Sequence, residues 1–260
     1  FLDLSVVIAS ILPLELIDTV ISIHTSSYPV KEIIVVYPIS LKHRIALFDR
    51  IYDLVTFVPS DIASQVSQRF LGFQRTNTDL VLQSDDDIIY ELDSIARLVS
   101  SFISVNDCKI AISPCFFDSS SCLPIHRVHP IVRFIYKYLL GVFPLYGAIT
   151  PFSTSYGVDP LLCKPTFFDL FSSQWLPGGC VLHHQANLVY ARQVFPFSGK
   201  AYCEDLIDSF FRSSHGIRHF VCLSSRVFIE PVLIPMTFSD IYSDFKARLY
   251  FVQLSSRMLV

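Results

Sequence analysis

Along the N-terminal part of this 260-residue chain, short unbroken apolar runs alternate with stretches whose apolar residues recur every three or four positions. Leu4 to Ser10 and Glu32 to Tyr37 read as buried strands, Ile51 to Phe57 as a weaker third, and Asp79 to Gln83 as a fourth. Between them, Leu14 to His24 and Ala63 to Gln74 carry helical spacing, and a further helix is predicted from about Leu92. Strands that alternate with helices pair in parallel and bury both faces of their sheet. The predicted fold class is therefore α/β. Ligands of such sheets collect beyond the carboxyl ends of the strands, so the residues that follow each run carry the functional interest.

Beyond Ile112 the pattern changes. Ser113 to Pro130 mixes Ser, Cys, His and Pro without periodicity, and is predicted to be a loop long enough to carry function. Order returns at Trp175-Leu176-Pro177-Gly178-Gly179, an aromatic residue and two glycines in a turn, followed by the apolar stretch Cys180 to Leu182. Cys203-Glu204-Asp205-Leu206 opens a helical run through Arg212 that ends near Gly216. The chain holds no internal repeat and no low-complexity tract.

Composition narrows the classes. The hydrophobic share is 52%, with 23 Phe, which exceeds the usual apolar fraction and suggests a surface that meets lipid or a partner. A net charge of -3 supplies no basic field for phosphates, so a general nucleic-acid binder is not expected. Seven cysteines, an odd number with no CxxC pair, support neither a full disulfide framework nor a zinc ribbon; reduced thiols in a cytosolic protein are expected. No signal peptide is apparent, and the opening residue Phe1 suggests a trimmed fragment. Ile131 to Thr150 is the best candidate for a membrane span, but Arg133, Lys137 and Pro144 interrupt the ~18 to 20 apolar residues a span needs. Arg127 to Leu140 sets Arg127, Arg133 and Lys137 among apolar and aromatic residues, a pattern of an interfacial helix or of an ordinary amphipathic one.

Candidate chemistry is concentrated in acidic residues. Asp85-Asp86-Asp87 closes the fourth apolar run, and residues two apart can face the same way, so Asp85 and Asp87 can share a divalent ion. All-oxygen ligation suits Mg2+ or Mn2+. The alternative is an acidic turn that caps the following helix. Glu204-Asp205 reads as an N-terminal acidic cap of the helix it opens. Trp175, the only tryptophan, is either an aromatic plate beside the two glycines or a core residue. Neither His126 with His129 nor His183 with His184 has the form of a closed zinc site. The glycine and nucleophile signatures of common NTPases, dehydrogenases and hydrolases are absent, and no Gly-rich loop of a nucleotidyltransferase follows the first strand.

Taken in order, these pieces resemble the family 2 glycosyltransferases over nearly the whole length. Leu4 to Ser10, Ile17 to Ile23 and Tyr28 to Val36 are similar to that family's first strand, helix and second strand. Gln68-Arg69-Phe70-Leu71-Gly72 is similar to its Arg-Asn-x-Gly segment, Asp85-Asp86-Asp87 to its DxD motif, Trp175 to Gly179 to its Trp-x-x-Gly-Gly turn, and Glu204-Asp205 to its ED motif. The resemblance implies a single GT-A domain, a Rossmann-like mixed and mainly parallel sheet flanked by helices. Residues 1–112 would form its nucleotide-sugar half, and 113–260 its acceptor half with a C-terminal helical segment.

The implied activity is inverting, metal-assisted sugar transfer to a growing glycan or lipid-linked acceptor, with Asp205 or, less directly, Glu204 as general base. Asp85 and Asp87 would hold Mn2+ or Mg2+, while Ala9, Tyr37, Arg69 and Asp86 would meet the nucleotide. Trp175, Gly178, Gly179 and Arg212 would meet the acceptor. The expected location is cytoplasmic, with peripheral contact at the inner membrane face. Two departures stand out: Tyr37-Pro38 follows the second strand where the family carries aspartates for the base and ribose, and Phe70 replaces the Asn. A noncatalytic nucleotide- or glycan-binding module on the same fold is the rival reading.

Overall fold

The computed structural model describes residues 2–126, 147, 158–161, 163–188, 204–230 and 246–250. Its strands are β1 (Leu4–Ala9), β2 (Glu32–Pro38), β3 (Thr56–Ser60), β4 (Leu80–Ser84), β5 (Ile88–Tyr90), β6 (Ile110–Asp118), β7 (Leu170–Ser173), β8 (Cys180–His184) and β9 (Arg218–Ile229). The helices are α1 (Leu16–His24), α2 (Gln65–Phe73), α3 (Ser94–Val105) and α4 (Glu204–Ser214), with a 3-10 segment over Ile39–Leu54.

Among the described residues, all nine strands join one sheet in the order β3-β2-β1-β4-β8-β6-β9-β5, with β7 also paired to β9. β1 to β4 run parallel, β8 lies antiparallel between β4 and β6, and β9 runs parallel to β6. Only β5, β7 and β8 run against the other six, so the sheet is mixed and mainly parallel, as expected.

Alternation along the strands divides the core. Leu4, Val6 and Ile8 face one way and pack with Leu16, Val20 and Ile23 of α1 and Leu98 and Phe102 of α3. Val7, Ile34, Val36 and Val81 face the other way, with Phe73 of α2. A Cβ at Gly72 would strike the Val7 side chain, so α2 packs as close to the sheet as only glycine permits. α3 stops at Asn106, whose φ of 51° is the left-handed conformation Asn tolerates.

Two expectations are corrected. The third strand lies at Thr56–Ser60, while Ile51 belongs to the preceding 3-10 segment and is buried. The supposed loop from Ser113 begins as strand: β6 continues to Asp118, with its register shift falling between Pro114 and Cys115. The additional residues at that shift, Leu223 to Ser225, belong to β9, and such an irregularity is where the paired strand accommodates proline, which hides β6 from a reading of periodicity. Ile131 to Thr150 apart from Gly147, Arg127 to Leu140, His129 and Cys203 lie outside the described residues. Among the described residues no helix is long and apolar enough to cross a membrane.

Candidate active site

Three segments distant in sequence meet at the carboxyl end of β4. The first is the acidic run itself. Asp85 is tied by its backbone N–H, which donates to Gly179 O at 2.7 Å, and by Oδ1, which accepts from Arg69 Nη2 at 2.6 Å and Gln65 Nε2 at 3.0 Å. Asp86 turns toward the end of β1, accepting from Ser10 Oγ at 2.6 Å and Ile11 N at 3.3 Å. Burial pushes its pKa up to about 6 against the Ser10 bond, and the neighbouring charges of Asp85 and Asp87 add to the rise. Asp87 is exposed, yet partial desolvation and the charge of Asp85 raise it too.

The second segment is α2. Its Gln68 Nε2 donates to Ser10 O and Val36 O at 2.9 and 2.7 Å, closing the ends of β1 and β2. One turn of α2 also presents Arg69, 6% exposed, whose guanidinium bridges Asp85 to Glu204 Oε1 at 2.5 Å. Burial alone would favour losing the Arg69 proton, but Glu204, Asp85 and Asp205 outweigh it and hold the group protonated.

The third segment is the start of α4. Trp175, 7% exposed, packs with Leu206 and Ile207, and Leu176 N donates to Ser209 Oγ at 3.0 Å, so the Trp-x-x-Gly-Gly turn clamps the helix. Gln83 Nε2 donates to Gly178 O from the other side. A Cβ at Gly178 would collide with Asp205 Oδ1, and the Gly178 N–H bonds the Asp205 carboxylate. Glu204 is buried and committed to Arg69, whereas Asp205 is only half-buried and, among the described residues, has no ion-pair partner. Burial raises both carboxyls; Arg69 opposes the rise in each.

The structure thus brings Asp85, Arg69, Gly178, Gly179, Glu204 and Asp205 together, with Asp86 and Asp87 on the same strand tip. It places other expected site residues differently. Tyr37 is 3% exposed, its ring edge-on to Phe57 at 6.2 Å, so it is packed in the core instead of offering a face for a base. Ala9 is buried at the end of β1, and the contacts there come from Ser10. Trp175 lies under α4 as a core residue, without an open face for a sugar. Arg212 is buried behind the site, bonded to Asp208 Oδ2 at 2.6 Å and His183 Nδ1 at 2.7 Å, and so is spent inside the protein. Gln65, Gln68, Gln83 and Ser10 were not singled out from sequence; neutral amides and hydroxyls carry no signal until their partners are known.

Among the described residues, no group of three or more His, Cys, Asp or Glu side chains is gathered as a metal site. No family model and no curated protein matches the sequence. Solved structures do. One is GalNAc-T7 with UDP, GalNAc and Mn2+, with a TM-score of 0.64 and 15% identity over 95% of this chain and 48% of that one. Another is S. aureus TarS 1-349, at 0.57 and 11% over 96% of this chain and 65% of that one. The chain therefore spans about half of the first and under two thirds of the second. At these identities the likeness is one of fold, and that fold is GT-A.

Proposed function

We propose that the chain is a nucleotide-sugar-dependent glycosyltransferase that acts with inversion on a hydroxyl of a glycan or lipid-linked acceptor. The observation that carries this reading is the bridge of Arg69 between Asp85 and Glu204, which sets an acidic strand tip beside the acidic start of a helix. Sugar transfer needs these two centres side by side, one for the departing diphosphate and one for the acceptor proton. The GT-A fold and a fold neighbour crystallised with UDP, GalNAc and Mn2+ support a nucleotide-linked donor.

In this reading the acceptor hydroxyl attacks the anomeric carbon from the face opposite the diphosphate and gives its proton to Asp205. Asp205 suits that role because it is reachable and its raised pKa favours taking up a proton. Glu204 is held by Arg69 and serves to fix that arginine. Arg69 supplies permanent positive charge at the diphosphate end.

A divalent ion fits the donor set. Asp85 spends Oδ1 on Arg69 and Gln65 while Oδ2 faces Gly179, and the charge of Asp85 raises the pKa of Asp87, which a bound cation would relieve. Two carboxylates with substrate phosphates are the usual holding of Mg2+, so Asp85 and Asp87 are the residues that would bind it. Such an ion would offset charge on the leaving diphosphate. A cytoplasmic location at the inner membrane face, with a lipid-linked acceptor, belongs to the same proposal.

The test is release of nucleoside diphosphate from a panel of nucleotide sugars with Mn2+ and candidate acceptors. Turnover that vanishes in Asp87→Asn and Asp205→Asn supports the enzyme. Metal-dependent nucleotide binding without turnover, even with acceptors supplied, favours a noncatalytic module, and absence of both binding and turnover refutes the proposal.

A further inference from the structure

Behind the turn lies a hollow of about 40 Å³, lined by apolar side chains such as Leu176, Val181 and Ile207 together with Asp205, His183 and Arg212. Across it, Arg212 Nε donates to Asp208 Oδ2 at 2.6 Å, and Arg212 Nη1 meets His183 Nδ1 at 2.7 Å. Arginine offers only donors, so the His183 Nδ1 atom must accept and the ring proton resides on Nε2. Both side chains are buried, His183 1% exposed and Arg212 4%. We propose that Arg212 and His183 form a brace that positions the Asp205 carboxylate, with His183 Nδ1 as its essential acceptor.

The placement of the two residues gives the brace its purpose. His183 lies on β8, the strand that continues from Gly178-Gly179; Arg212 lies in the last turn of α4, whose first turn carries Asp205. α4 is therefore fastened to the same strand-and-turn unit at both ends, by the Gly178 N–H bond to Asp205 and by the Arg212 contact. Between the fastenings the Leu176 N–Ser209 Oγ bond and the packing of Trp175 on Leu206 and Ile207 hold the near part of the helix, while the hollow of about 40 Å³ leaves room for its far end to settle once the Arg212 contact is cut. The ring is neutral as the geometry requires: burial, then the charge of Arg212, hold its pKa well below the ordinary histidine value. A tilt that shifts Asp205 by about an ångström is of the size that costs on the order of a hundredfold in rate.

This inference rests on Asp205 acting as the base, and its test separates the two claims. In His183→Leu, kcat falls roughly ten- to a hundredfold, while KM for the donor, which the carboxylates after β4 would bind, stays as in wild type. His183→Asn sets its side-chain oxygen where Nδ1 was and restores the rate; His183→Gln sets it where Nε2 was and does not. A Leu variant as fast as wild type, or rescue by Gln as good as by Asn, overturns the brace. Independently of turnover, 15N NMR of labelled histidine at pH 7 should show His183 as the Nε2–H tautomer, with that assignment lost in Arg212→Met. A protonated Nδ1 in the wild type rejects the proposal whatever the activity, whereas missing turnover with the tautomer in place counts against the transferase reading alone.

Discussion

Replacing Arg69 by Met removes the cation shared by Asp85 and Glu204 while keeping an apolar chain of similar length. Breaking a buried ion pair from one side costs about 3–5 kcal/mol, because the partner is left charged and poorly solvated. The Asp85 side chain is 27% exposed and recovers part of its hydration, against 10% for Glu204, so the lower end, about 3 kcal/mol, is expected. For a chain of this size that lowers the melting temperature by roughly 6–12 °C. The cost also depends on pH. Without Arg69 the folded-state pKa of Glu204 rises further, so the folded variant binds protons the unfolded chain does not, and its stability falls as pH climbs. Urea unfolding followed by the fluorescence of Trp175 should show a larger deficit at pH 8.5 than at pH 6, and Arg69→Met with Glu204→Gln should regain much of it. A deficit below about 1 kcal/mol, or one equal at both pH values, refutes the picture of a buried charge bridge.

Asp86, raised to about 6 by burial, binds its proton more tightly folded than unfolded. Its contribution to stability is therefore present below the ordinary aspartate value and lost as pH rises through about 6, and Asp86→Asn should flatten the melting-temperature profile over that interval. Gly178→Ala drives a methyl into Asp205 Oδ1, whereas Gly179→Ala meets Asp85 Oδ2 at 3.1 Å; the first should destabilise by about 1–3 kcal/mol and slow transfer more than the second, in thermal melts and initial rates. Alkylation at pH 8 mapped by mass spectrometry should label the exposed Cys108 and Cys122 well before Cys180, whose thiol burial pushes up to about 12. Early modification of Cys180 would contradict its burial.

The first half of the sheet was legible because β1, β2 and β4 are buried on both faces, and such strands show as unbroken apolar runs. Strand β3 was placed several residues too early for the opposite reason. It lies at the sheet edge, where Pro59 costs little and exposed positions blur the run. In β9 the additional residues Leu223, Ser224 and Ser225 fall where its register against β6 shifts, and the two serines break the pattern of a long strand. The site divides in the same way. Asp85, Glu204 and Asp205 announce themselves as clustered charge, but the span of 135 residues between Arg69 and Glu204 cannot be read from either end. Tyr37 and Trp175 misled because an aromatic residue beside a functional segment looks alike whether it serves a ligand or the core.

Gly178 and Gly179 touch opposite centres of the site: one peptide N–H holds Asp205, and the next residue's carbonyl holds the backbone of Asp85. The separation of the two acidic groups is thus ruled off by consecutive links of main chain, a gauge with no rotamers to vary. A single residue inserted between Gly178 and Gly179 would reset that distance at once.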